Sequence, residues 1–314
     1  MKNKVVRIGL IISSIIFLYV FGDFLQTSDN VEIVSFDINK SGTELVISVE
    51  GYNNGVYFYS IASDSITNII RPLSNDSLFI NPKYSENGKK VIIIAKSIQT
   101  DSTHIIVYDK IKNRSKHYYN LKGTIKQAVF SGDSNEIFLV SRTIPGTNID
   151  YRGYNILKYN ILYDSLYPFY INNSYSINDL SIERYNDSCY LAFVNDLESI
   201  QLIKLFNDNN LAVEMKTSNS VNDVAFIGSI YFNMKNKEVF IGEPYSIFHF
   251  FYQDPKRSQL IGPFSFQIEN VVLNERLNKV FFIEDSSKHR ILTCGITQVD
   301  TLVEELLTVK DFIH

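Results

Sequence analysis

The chain has no tryptophan, two cysteines, seven prolines and fourteen glycines among 314 residues. So little proline and glycine excludes collagen-like and low-complexity architectures. Two cysteines cannot form a disulfide framework. Cys189 and Cys294 fall in repeats that are not neighbours, so a bond between them is not expected, and each reads as a small buried side chain. No long run of one charge occurs and the net charge is -4, so the basic stripe that nucleic acid would require is missing. No H-E-x-x-H, Walker A, G-x-S-x-G or paired C-x-x-C occurs. The five histidines (His104, His117, His249, His289 and His314) stand at no ligand spacing, so neither a metal nor another cofactor is expected. His249, in an apolar run, reads as packed or at a strand edge. Long helical patterns are also missing beyond the first thirty residues, and Glu304–Leu307 is too short to make one.

What is present is strand-forming. The chain is 45% hydrophobic and 20% charged, with 20 tyrosines and 22 phenylalanines. That balance supports a packed core, and aromatic residues with abundant Ile and Val favour strands.

Residues 1–30 have a different character. Lys2, Lys4 and Arg7 precede an apolar run from Ile8 to Phe21. A positive flank before a hydrophobic stretch is the layout of an export signal. Two outcomes stay open: cleavage near Gly22, or retention as a signal-anchor touching the membrane through residues 5–25. No Cys follows the run, which excludes a bacterial lipoprotein anchor. In either case the remainder is expected outside the cytoplasm, in the periplasm or at the cell surface.

The remainder repeats. An apolar strand, a polar turn and a denser apolar strand recur six times. The dense strands begin at Leu45, Val91, Ile137, Tyr190, Val239 and Val280, at intervals of 46, 46, 53, 49 and 41 residues. Units of this length with four strands each are the signature of a β-propeller. The expected fold is therefore all-β, a six-bladed propeller of four-stranded antiparallel blades behind an N-terminal hydrophobic helix. Its blades span about 31–77, 78–123, 124–173, 174–218, 219–264 and 265–314. Blades four and five are the least regular, so five or seven blades stay open. No closing strand is visible.

A second repeat is out of phase with the first. Tyr59, Tyr108 and Tyr159 are each followed five residues later by Asp64, Asn113 or Asp164. These mark hairpins between third and fourth strands, where Asp and Asn tolerate a left-handed backbone. Gly42 and Gly88 are expected to serve the first hairpins of blades one and two. Runs such as Val91–Ala95 and Val280–Ile283 are apolar throughout, as strands covered on both faces must be.

The turn Ser85-Glu-Asn-Gly-Lys-Lys-Val-Ile-Ile-Ile94 resembles that of TolB-type propeller repeats, a WD-repeat-like group, and Asn39–Ile47 is a looser copy. Proline is missing from these turns, and the later ones lack glycine. The resemblance implies an exported propeller that serves as a protein-interaction platform. The Asp-Ser/Thr-apolar tripeptides at Asp64, Asp76, Asp164 and Asp300 look like O-glycosylation acceptors of exported Bacteroidetes proteins, and the Ile-, Asn-, Lys- and Tyr-rich composition agrees with such a genome. Asp-Ser is equally a good turn.

The leading functional expectation is an extracytoplasmic, non-enzymatic propeller that recognises a protein or small ligand. Loops between second and third strands, and between blades, share one face. The longest runs from Thr143 to Gly153, and Arg142, Asp150, Tyr151 and Arg152 are its candidate partner-binding residues. The alternative is a hydrolase or cyclase acting on sugars or peptides. It would draw its carboxylates from among Asp37, Glu50, Asp179, Asp196, Asp223 and Glu269 in the channel.

Overall fold

A computed structural model describes the backbone of residues 31–312, except 75, 101, 132–134, 144–149, 171–176, 186–187, 196–199, 207–209, 217–228, 234, 252–253, 286–289 and 297–302. The proposed N-terminal helix lies outside the described residues. Among those described, no helix is long and apolar enough to cross a membrane.

The described strands form six four-stranded antiparallel sheets, each contiguous in sequence. The first holds β1 (Glu32–Ile38), β2 (Glu44–Glu50), β3 (Gly55–Ser60) and β4 (Ser65–Ile70). The second holds β5 (Ser77–Tyr84), β6 (Lys90–Ser97), β7 (Thr103–Asp109) and β8 (Arg114–Gly123). The third holds β9 (Ile125–Phe130), β10 (Glu136–Thr143), β11 (Asp150–Asn160) and β12 (Ser165–Tyr170). The fourth holds β13 (Ile177–Tyr185), β14 (Ser188–Asn195), β15 (Ile200–Phe206) and β16 (Asn210–Lys216). The fifth holds β17 (Ser229–Asn233), β18 (Glu238–Glu243), β19 (Ser246–Phe251) and β20 (Asp254–Ile261). The sixth holds β21 (Gln267–Asn274), β22 (Lys279–Asp285), β23 (Arg290–Gly295) and β24 (Glu304–Leu307). The segment Glu304–Leu307 is thus an outer strand, and a short 3-10 helix, Val309–Phe312, follows it.

Strand parity explains why the sheets stand face to face. On β6, Val91, Ile93 and Ala95 pack with the first sheet, while Ile92 and Ile94 pack with the third. On β2, Leu45, Ile47 and Val49 face the sixth sheet and Val46 faces the second. A strand whose alternate residues both enter apolar layers must be apolar throughout. The outermost β4 has one covered face and alternates instead. The layer joining sixth to first sheets includes Val272, Phe281 and Ile283 beside Ile33, Phe36 and Leu45, so the ring closes.

The innermost strands are also sewn together. Asp37 accepts the Tyr84 amide at 2.8 Å and Ser35 accepts the Asn81 amide at 2.9 Å. Asn81 donates to the Lys126 carbonyl at 2.7 Å, and Gln127 to the Leu180 carbonyl at 2.9 Å. Ser181 accepts the Phe232 amide at 3.4 Å, and Asn274 donates to the Asn39 carbonyl at 3.0 Å. Each bond satisfies a backbone group that a sheet edge would otherwise leave open.

Among the described residues no blade borrows a strand from the other terminus. Closure rests on side chains. Phe312 is buried edge-on against Tyr57 with ring centroids 5.0 Å apart, and its carbonyl accepts from Asn53 at 2.6 Å. At the far end of the same junction, a Cβ on Gly42 would lie 2.7 Å from Leu277, so the glycine serves both its positive φ and this close approach.

The two turn repeats behave as the spacing implies. Asp64, Asn113 and Asp164 have φ near 50°, and each accepts the hydroxyl of its tyrosine five residues back. Burial and the adjacent Asp64 carboxylate raise the Tyr59 hydroxyl above its ordinary pKa, so it stays a donor. First hairpins use Gly42 and Gly88 at positive φ, and the glycine-free later ones use Lys237 and Asn278.

Candidate functional site

Antiparallel succession puts the first-to-second and third-to-fourth hairpins at one end of the ring. The second-to-third connections and the crossings between blades lie at the other, the loop face. The blade-three loop is shorter than the sequence implies. β10 continues to Thr143, β11 begins at Asp150, and these two residues pair. Asp150, Tyr151 and Arg152 are therefore strand residues at the rim of the loop face, and Arg142 belongs to β10. Their side chains lie outside the described ones.

A different part of the loop face exposes apolar side chains. Tyr52, in the β2–β3 loop, is 77% exposed; Leu73, in the β4–β5 crossing, 90%; Ile98, in the β6–β7 loop, 56%. The loops that carry them are tied to one another. The Asn54 amide bonds the Gly51 carbonyl within the Tyr52 turn, and Tyr57 anchors Asn53 from below. Asn54 donates to the Ser77 carbonyl at 2.6 Å, and the Ile98 amide donates to the Asp76 carbonyl at 2.8 Å. Three apolar groups thus ride on a cross-linked set of turns over the junction of blades one and two. At the opposite end Ile111, Leu162 and Tyr163 are also exposed. The backbone bonds holding their hairpins, such as Lys110 to Lys89 and Ile161 to Asn135, stay within one blade, although the Lys110 ammonium also pairs with Glu44 of blade one.

The axial channel is a cavity of about 850 Å³ lined by the innermost strands. Lys83, Lys126 and Lys235 line it, as do Asp37, Glu243 and Glu269, so it holds both signs of charge. Of the six candidate carboxylates, Asp37 and Glu269 reach it. Glu50 ends β2 opposite Glu32. The Asp179 side chain, Asp196 and Asp223 lie outside the described ones. Asp37 is committed to the adjoining blade through the Tyr84 amide and Lys83, 3.8 Å away, while burial raises its carboxyl above the ordinary value. Asn81 and Asn270, both at positive φ, sit at register shifts in β5 and β21 and also line the cavity.

The Asp-Ser turns differ in access. Ser65 is exposed, whereas the Ser165 hydroxyl is buried. Cys294 is buried and its thiol is pushed up to about 11, consistent with an inert packing role. His249 is packed, as its apolar run implies. It stacks on Phe240 at 4.3 Å between centroids, and its Nε2 lies 3.3 Å from Glu238. A second cavity, about 390 Å³, lies beside it. The histidines are less dispersed than their spacing implies, because the β7–β8 hairpin brings His104 and His117 together.

No family model and no curated protein matches the sequence. Solved structures do. A chain from the crystal structure of a nidogen/laminin complex superposes with a TM-score of 0.61 at 8% identity, over 86% of this chain and 95% of that one. The β-propeller domain of Cps50 (Swd1) from Myceliophteria thermophila superposes with a TM-score of 0.53 at 9% identity, over 81% and 94%. The fold is a β-propeller. At such identities the likeness concerns the fold alone, and the propeller's chemistry must be read from its own residues.

Proposed function

We propose that this propeller is an extracytoplasmic, non-enzymatic binding protein that receives a protein partner on its loop face. The observation that carries the reading is the exposed set Tyr52, Leu73 and Ile98 on hydrogen-bonded turns that bridge two blades. Exposed apolar groups held in place lose little entropy on docking, and tyrosine is a frequent anchor of interfaces. The strand rim bearing Arg142, Asp150, Tyr151 and Arg152 lies at the same end and extends the surface. The TolB-like turn at Ser85–Ile94 supports an exported interaction platform. The Lys2/Lys4/Arg7 flank and the apolar run after it support export. Asp37 argues for the binding reading over the hydrolase, because its carboxylate joins two blades.

The test is co-isolation from envelope extract of the natural host. Tyr52→Ala combined with Leu73→Asp is expected to lose the partner recovered with the wild-type chain, at unchanged melting temperature, while Ile111→Asp retains it. Recovery of the same partner with the double variant would refute the assignment. For the export component, an alkaline phosphatase fused after residue 314 is expected to be active, and an inactive, stable fusion contradicts it.

A further inference from the structure

His104 is the second residue of β7 and His117 lies on the adjoining outer strand β8. Ile106 pairs with His117, and His104 precedes Ile106 by two residues, so both imidazoles occupy one face of the sheet. It is the face turned towards blade one, since Ile106 and Tyr108 pack in the layer shared with that blade. A register shift between Thr103 and Ile105 falls at His104. His104 Nε2 and His117 Nδ1 stand 3.4 Å apart, with the rings inclined by 29° and their centroids separated by 5.6 Å.

That separation is compatible with two pairings. A hydrogen bond from one imidazole to the other would close to about 2.7–3.2 Å. Two nitrogens bound to one tetrahedral ion at about 2.0–2.1 Å each are held roughly 3.3–3.4 Å apart. The observed spacing is long for that hydrogen bond and equals the tetrahedral edge. Both rings are partly buried, which lowers their proton affinity and leaves them neutral, the form that ligates. Being partly exposed, they can also be reached by an ion that keeps water in its remaining positions. Among the described residues no set of three or more His, Cys, Asp or Glu side chains converges on a metal position. The site is therefore bidentate and exchangeable, unlike a closed structural centre.

We infer that His104 and His117 form a cross-strand chelate for a divalent ion of the imidazole-preferring class, with zinc, nickel and copper as its members. The ion would clip the outer strand β8 to β7 near the loop face of blade two.

Untagged full-length protein in detergent, stripped with chelator, is titrated with zinc chloride and separately with nickel chloride, followed by calorimetry. One equivalent is expected to bind. His104→Ala and His117→Ala are each expected to weaken binding by about tenfold or more, and the double variant no more than the stronger single one. Unchanged affinity in either single variant, or no binding by the wild type, overturns the site. Should a variant misfold, the wild type decides alone. With one equivalent of copper(II), electron spin-echo modulation is expected to report two coupled imidazoles, and one or none refutes the chelate.

Discussion

At the residue scale, turn chemistry does more than close hairpins. Asp64 supplies both a left-handed backbone and an acceptor for the Tyr59 hydroxyl. These roles separate by substitution. Asp64→Gly keeps the backbone and loses the bond, whereas Asp64→Ala loses both. Urea unfolding is expected to place the alanine variant about 1 kcal/mol below the glycine variant. Tyr59→Phe is expected to cost about 1–2 kcal/mol, since only the bond is removed. Asp37 carries a pH dependence. Burial raises its carboxyl in the fold, so the folded chain holds that proton more tightly than the unfolded chain does. Its contribution favours the fold most below the ordinary carboxyl value and declines as pH rises through the raised one. Asparagine keeps an acceptor for the Tyr84 amide. Asp37→Asn is therefore expected to flatten the stability profile above the ordinary carboxyl value, as measured by denaturant melts across a pH series. An unaltered profile would show that the carboxyl is not desolvated.

At the scale of elements, burial on both faces separates middle strands from outer ones. Ile93, in β6, is fully buried, and Ile69, in β4, is 40% exposed. Ile93→Ala is expected to cost about 2–5 kcal/mol, and Ile69→Ala less than about 1 kcal/mol, read from shifts in urea midpoint. This distinction was legible in the sequence because unbroken apolar runs differ visibly from alternating ones. The turns were legible for the same kind of reason: Tyr and Asp five apart, or Gly after a polar pair, are local signals. Non-local features were hidden. The contact between His104 and His117 depends on the pairing register of β7 with β8, which a spacing of thirteen residues does not disclose. The extension of β11 back to Asp150 is set by pairing with Thr143, so Asp150, Tyr151 and Arg152 looked like loop. Glu304–Leu307 reads as a fragment of helix until β23 provides the edge that makes it a strand. Tyr52, Leu73 and Ile98 sit in polar stretches, where nothing local reveals that they stay exposed.

At the scale of the whole molecule, the ring has to be held shut where the first and sixth blades meet. The chain does this with packing across β1 and β21 and with Phe312, whose ring is buried on blade one. Phe312→Ala is expected to cost about 3–5 kcal/mol and to speed proteolysis at the junction of first and sixth blades. A loss below about 1 kcal/mol would mean that the terminal segment does not secure closure. A ring held this firmly gives its loops fixed positions relative to one another, which is what a surface shared by two blades requires. The most direct measurement of that surface is site-specific photo-cross-linking in living cells of the natural host, with benzoylphenylalanine placed in turn at Tyr52, Leu73, Ile98, Ile111 and Leu162. The first three positions are expected to yield one common discrete adduct and the last two none. Adducts confined to Ile111 and Leu162, or identical from all five positions, would contradict the assignment of the loop face.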